Sequence, residues 1–481
     1  MLQLPVEDME MAPGHALEWT VSAAGAAGHA EEGAPEVLAS YNQQDHFAVA
    51  QALRAADIGY SSYIGGSFEI RGRVEVEALE AALLHLVRRH EVLRCEFRET
   101  GEGAEPGATG RAADGGCGMA VEVVPPQDVK LERVDAGRYD TPAEAAAYVR
   151  DFLRRTDTLR GPWIVMGAMV RDDCATVYFA CDHLLSDGVS TPVAVHDIAM
   201  AYEAYAHGRE PDLPQAGSFL DHAAAERGRG AALAADDPLL DQWKGFAARG
   251  GGALFPRFPL DLGIEPGVAH RAVNEADTLL TADRVDALEA HCRAVGGRTS
   301  TGVLAALGVG LRKAGGPDVH RALVPVSTRG RDAREHSMGW FVNTLPVEFP
   351  VADGTGFAGV MAGAQAALDG MRPYTGVPFV RVHDLLTGAG TGPQVWPFAV
   401  SFFSYLDFRR TPGAHSHVAW KARKYVSTSH SNGIFFWFHR NHTGLHLNSI
   451  FVDTPEARRA KATCVGALVQ SLDNIARSGR F

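Results

Sequence analysis

The densest chemistry in the chain lies in one run, Tyr178-Phe179-Ala180-Cys181-Asp182-His183-Leu184-Leu185-Ser186-Asp187-Gly188. A β-type stretch stops at an imidazole, and a carboxylate follows four residues later. An imidazole at a strand end is a candidate general base, because it can accept a proton from a hydroxyl or an amine near neutral pH. Asp187 has two readings: it pairs with His183 and strengthens the base, or it turns away and pairs with an arginine. Gly188 is read as the residue that permits a tight turn. Cys181 is read as a small buried apolar side chain rather than a nucleophile. Ser186 is read as a turn residue, and no Gly-x-Ser-x-Gly elbow surrounds a candidate serine. A base without an enzyme nucleophile points to direct transfer, in which the base takes a proton from an incoming hydroxyl or amine. Asp182, His183 and Asp187 lack a second ligand cluster, so no metal is expected.

Strands and helices must hold this run in place. Residues 176–181 read as the strand that delivers His183, and 164–170 as a neighbouring strand. Thr191 and Pro192 suit the cap and first position of a helix. Val195, Ile198, Tyr202 and Tyr205 share one face of that helix, and Gly208 suits its end. Upstream, 67–71 alternates like a half-buried strand, 75–90 has helical spacing and 92–97 reads as a strand. Residues 100–118 are Gly-rich and read as a loop, and 143–153 as a helix. Downstream, helices are expected at 281–294, at 301–313 and after Pro455. Strands are expected at 322–326, 343–349, 398–404, 434–439 and 445–450. Strands alternating with helices in both halves indicate α/β lobes.

The chain has 481 residues, long enough for two domains. Residues 1–38 read as a loose leader, 39–212 as an N-terminal lobe carrying His183, and 213–481 as a C-terminal lobe, with a linker over 209–217. The net charge of −13 argues against a broad nucleic-acid surface. No uninterrupted apolar stretch is long enough to suggest a membrane span. Six scattered cysteines form no Cys-x-x-Cys pair, and the N-terminus is acidic where a signal peptide would be basic. A reducing, cytoplasmic location is expected. No glycine-rich phosphate loop follows a strand, so nucleotide binding is unsupported.

Asp182-His183-Leu184-Leu185-Ser186-Asp187-Gly188 resembles the His-His-x-x-x-Asp-Gly signature of nonribosomal peptide condensation domains. These belong to the wider superfamily of chloramphenicol-acetyltransferase-like acyltransferases. Three more segments match in the family's order: Arg89-His90-Glu91-Val92-Leu93-Arg94-Cys95-Glu96-Phe97, Gly339-Trp340-Phe341-Val342-Asn343-Thr344-Leu345-Pro346, and Val377-Pro378-Phe379. Together they span about residues 40–460.

The resemblance implies two acyltransferase-like lobes in a V-shaped pseudo-dimer with a central tunnel. It places His183 as the catalytic histidine. It makes Asp187 mainly structural, paired with Arg329 of the Pro325-Val326-Ser327-Thr328-Arg329 segment, and makes Arg94 a second member of a structural polar network. The family's first histidine is Asp182 here, a departure that makes Asp182 a candidate for orienting substrate. Asn343 and Ser429, the latter in a segment aligned with the acceptor side, are further substrate-binding candidates. Ser401-Phe402-Phe403-Ser404-Tyr405-Leu406-Asp407-Phe408-Arg409 replaces the family's later Arg-Asp-x-Ser-like segment and looks more like free-standing members. The implied activity joins an acyl or aminoacyl thioester, held on the phosphopantetheine arm of an acyl or peptidyl carrier protein acting in trans, to a small-molecule or carrier-bound acceptor. The chain itself would hold no cofactor. Two alternatives stand beside it: an acyl-CoA-dependent O- or N-acyltransferase, and a non-catalytic module that only recruits a partner.

Overall fold

The strand Cys174–Asp182 lies in the middle of a seven-stranded sheet. Its alternation explains its place. Val177, Phe179 and Cys181 point into one apolar core, while Tyr178 and Ala180 point into another on the opposite face. A strand buried on both faces reads as a near-continuous apolar run, as this one does. The computed structural model describes residues 1–23, 37–59, 61–99, 119–265, 268, 270–330, 332–388 and 400–481.

The sheet runs in the order Leu2–Pro5, Arg423–Thr428, Ser62–Arg71, Cys174–Asp182, Ile164–Val170, Gly14–Ala23, Val129–Tyr139. Its first pair is parallel and the others are antiparallel. Helices Val76–Arg89 and Ser190–Ala206 cover one face through Leu79, Leu83, Leu86, Val193 and Ile198. Helix Pro142–Leu153 covers the other through Ala145, Val149 and Phe152.

The second sheet has the order Phe403–Asp407, Ile434–Arg440, Gly444–Val452, His270–Thr281, His430–Ser431. Helices Ala282–Ala294, Thr299–Lys313, Phe357–Met371 and Pro455–Ser478 pack over its core. The hairpin Val319–Ser327 with Val342–Pro350 adjoins this sheet through a bridge between Leu323 and Phe402. The architecture is mixed α/β.

Four expectations need correction or limits. Residues 1–38 are not simply a loose leader: Leu2–Pro5 and Gly14–Ala23 are strands of the seven-stranded sheet, and Ala16, with Val6 and Met9 of the segment between the strands, fills its second core. Beyond residue 212, the strand Arg423–Thr428 and the residues Phe219 and Ala223 pack with the first lobe, so the first core draws chain from beyond the expected boundary. Thr191 does not cap the following helix. That helix starts at Ser190, and the Asp187 carboxylate accepts the N–H groups of Val189 and Ser190, each at 3.0 Å. A charged acceptor so placed outcompetes a threonine hydroxyl. The loop expected at 100–118, and residues 398–399 of one expected strand, lie outside the described residues.

A helix without an expectation is Tyr41–Ala55. Ser40 caps it by accepting from Gln43 N, and the Gln43 side chain accepts the Ser40 N–H in return. This reciprocal box was visible as Ser-x-x-Gln.

Burial also sets an acid limit. Desolvation pulls His183, His222, His320 and His446 each down to about 4, from an ordinary value of 6.5. Between those values the unfolded chain binds protons that the folded chain does not. Stability is therefore expected to fall as pH drops from 6.5 towards 4, with urea midpoints across that window as the measurement. A flat midpoint would show that these rings are solvated.

Candidate active site

His183 opens a short 3-10 turn, His183–Leu185, directly after its strand. The turn is held from both sides. Gln43 Nε2, from the Tyr41–Ala55 helix, donates to Leu184 O at 2.7 Å. Asp182 Oδ1 accepts from Leu184 N at 2.9 Å, and its Oδ2 accepts from the Thr158 hydroxyl at 2.6 Å. Asp182 is 1% exposed and does not line the cavity described below. The expected substrate-orienting role gives way to a cap, because both oxygens are already used by the protein. Asp182→Ala would strand Leu184 N–H and the Thr158 hydroxyl, and about 1–3 kcal/mol of stability should be lost. An unchanged denaturation midpoint would contradict this.

Asp187 does not brace His183. Its two oxygens receive a bidentate pair from Arg329, Nη1 to Oδ2 and Nη2 to Oδ1, both at 2.9 Å. Phe341 N adds a bond to Oδ2 at 3.1 Å, and Ser190 Oγ one to Oδ1 at 3.0 Å. Arg329 Nη2 also reaches the carbonyls of Ser337 and Gly339, and the guanidinium lies over the Phe341 ring, 4.5 Å from its centroid. Arg329 is 3% exposed and Asp187 2%. The pair clamps the histidine turn to the Gly339-Trp340-Phe341 segment.

That segment brings Trp340 to His183. Their ring centroids are 3.9 Å apart, and the His46 ring lies 5.8 Å from His183 and 5.6 Å from Trp340, so the three rings form one cluster. His183 Nδ1 is buried without a hydrogen-bond partner among the described residues. Nε2 is left as the nitrogen available to the cavity. Burial, then the neighbouring His46, hold the imidazole at about 4 against weaker upward pulls from its own backbone, Asp182 and Asp187. At neutral pH the ring is uncharged and able to accept a proton. Acyl transfer that uses this ring should be flat through neutral pH and fall only as pH nears about 4. An inflection in kcat/KM close to 6.5, the ordinary value, would contradict a buried base.

A cavity of about 520 Å³ opens in front of the ring. Helix Tyr41–Ala55 supplies Asn42 and Leu53, the first sheet supplies Tyr63 and Lys424, and the second sheet supplies Tyr405 and Trp437. Phe402, Phe435 and Trp437 form an aromatic wall with centroids 5.8–5.9 Å apart. The Cys181 thiol is buried and pushed up by desolvation, so it is no thiolate nucleophile. Among the described residues no group of three or more His, Cys, Asp or Glu could hold a metal ion, and no helix is long and apolar enough to cross a membrane.

The remaining expected site residues are placed as follows. Gly188 lines the cavity, but its φ is not left-handed, so the turn itself does not demand glycine. A side chain there would instead meet Leu406 at 3.5 Å and Lys424 Nζ at 3.6 Å. Asn343 spends its whole amide on the chain: it donates to Thr375 O and Val377 O and accepts from Phe379 N and Thr344 N. It latches the Val377-Pro378-Phe379 segment and does not line the cavity. Ser429 donates to Gly59 O at 3.0 Å, and its neighbours His430, Ser431 and Asn432 line the cavity in its stead. Arg94 is not at the site. It donates to Val124 O beside the Cys95–Glu99 strand. In the same motif, Arg89 and His90 both bind Asp197, and His90 Nδ1 accepts Met338 N, so this segment is scaffold. His46 and Lys424 escaped the sequence reading, and Trp340 was read there only as part of its matching segment. The capping box at Ser40 was the signal for the helix carrying His46. Nothing local marked Lys424.

Known proteins resemble this chain in sequence and fold. The family model of condensation domains matches residues 49–392. The acyltransferase PapA3 of Mycobacterium tuberculosis is 24% identical over 481 residues, covering 99% of this chain and 97% of the relative. The trehalose-2-sulfate acyltransferase PapA2 of the same organism is 26% identical over 460 residues, covering 95% and 93%. A solved structure of PapA2 acyl transferase superposes with a TM-score of 0.84 at 25% identity, covering 99% of this chain and all of that one. The first condensation domain of the calcium-dependent antibiotic synthetase shares the fold, with a TM-score of 0.67 at 18% identity and coverage of 92% and 97%.

Proposed function

This chain belongs to the condensation-domain family, and from that premise we propose that it joins a carrier-bound acyl or aminoacyl thioester to the hydroxyl or amine of an acceptor, with His183 as the base. The carrying observation is the position of His183 on the wall of the 520 Å³ cavity, with Nδ1 buried away from it and the turn held by the Asp187–Arg329 pair. The acceptor oxygen or nitrogen attacks the thioester carbon while its proton passes to His183 Nε2. The carbon–sulfur bond then breaks, and the protonated ring returns the proton to the departing thiolate. Proton transfer of this kind supplies about 10²–10⁴-fold, and holding both substrates in one cavity adds to it. Trp340 and His46 fix the ring plane. Arg329 and Asp187 fix the turn that carries it. The aromatic wall of Phe402, Phe435 and Trp437 suits an apolar acyl chain.

A second reading is an acyl-CoA donor: the relatives matched end to end are named acyltransferases, with no carrier protein in the name. One comparison separates the two: the same acyl group offered on CoA and on the phosphopantetheine arm of a carrier protein. The carrier-bound form should give the higher kcat/KM. Equal or faster transfer from CoA would overturn the carrier reading and leave acyl transfer standing.

A further inference from the structure

The cavity wall beside Gly188 carries hydrogen-bond donors that the protein does not use. Lys424 is 4% exposed, and its Nζ has one contact, the Gly188 carbonyl at 3.5 Å, the outer limit of a hydrogen bond. Gln3 is its register partner on the parallel neighbouring strand. Gln3 is 3% exposed, and its Nε2 has no partner among the described residues. His439 is 1% exposed. Its Nε2 accepts the Gln3 backbone N–H at 3.3 Å, which places the proton of the neutral ring on Nδ1. That Nδ1 also has no partner. All three residues line the cavity that holds His183.

Charge and donors point the same way. The nearby carboxylate, Asp187, is committed to Arg329 through both oxygens. Desolvation holds His439 neutral, with His446 and Lys424 pulling in the same direction. Desolvation lowers Lys424 to about 8, which leaves it mostly an ammonium at neutral pH. A buried cation with no counter-ion of its own, beside two buried donors with no acceptors among the described residues, is unfavourable until an acceptor of negative charge arrives.

We propose that Lys424, Gln3 and His439 bind a small oxyanion (a sulfate, phosphate or carboxylate) carried by the acceptor. The assignment to the acceptor rests on the acyl-transfer reading. The phosphate of CoA or of a carrier arm lies a full pantetheine length from its thioester, so it cannot reach Gly188 while that thioester sits at His183.

The site itself is tested without turnover, so it can fail independently of that reading. Inorganic sulfate, inorganic phosphate and acetate are titrated calorimetrically into the whole chain, into Lys424→Met, and into Lys130→Met as a surface-lysine control. Wild type and Lys130→Met should bind at least one of the three anions, and the strongest identifies the group. Lys424→Met should bind it about tenfold or more weakly, the scale of a lost charged hydrogen bond. Absence of binding to wild type, or equal binding by Lys424→Met, would overturn the proposal. If Lys424→Met does not fold, Gln3→Leu decides: weakened binding supports the pocket and unchanged binding refutes it.

Discussion

Arg329→Ala is expected to destabilise the fold by about 3–5 kcal/mol, the usual scale for breaking one side of a buried ion pair. The reason is asymmetry. Asp187 would remain 2% exposed and charged, with its bidentate partner gone. The carbonyls of Ser337 and Gly339 would lose a donor, and the Phe341 ring its guanidinium cover. Asp187→Ala should cost a similar amount, since it also removes the acceptor for Val189 N, Ser190 N and Phe341 N. The double variant should cost far less than the sum, because each single change strands the other charge. Urea denaturation of the three variants measures this. Additive losses, or single losses below about 1 kcal/mol as for an exposed pair, would show that the pair does not hold the histidine turn.

His183→Ala should act on rate and not on folding. Removing the base should lower kcat by about 10²–10⁴-fold. The ring makes no hydrogen bond through Nδ1 and packs mainly on Trp340, so truncation strands no partner. Its denaturation midpoint should stay near that of the wild type. The contrast with Arg329→Ala is the informative part. One residue supports the turn and the other does the chemistry, although both belong to the same motif.

Much of this was legible in the chain. The strand ending in His183, the helix after it and the Asp187–Arg329 pairing follow from local pattern plus the resemblance. What could not be read was where side chains spend their hydrogen bonds. Asp182 looked like the informative oddity of the motif, yet Leu184 N and the Thr158 hydroxyl take both its oxygens. Asn343 is used up by a loop over thirty residues away in sequence. Lys424 sits in a strand between Gln3 and Gly66, a neighbourhood that only the sheet assembles. The strands at residues 2–5 and 14–23 were missed for a related reason. Leu2–Pro5 is a short edge strand and Gly14–Ala23 an inner one, and each gains its stability from the strands it pairs with, not from its own composition.

The central claim is that this chain transfers an acyl group from a thioester to an acceptor through His183. The most direct measurement is mass spectrometry of products formed by purified wild type and His183→Ala, each given acyl thioesters and a panel of alcohols and amines, with thiol release timed in parallel. The account predicts an acylated acceptor and matching thiol release with wild type, both reduced by about 10²-fold or more in His183→Ala. Equal product from the two proteins would contradict it.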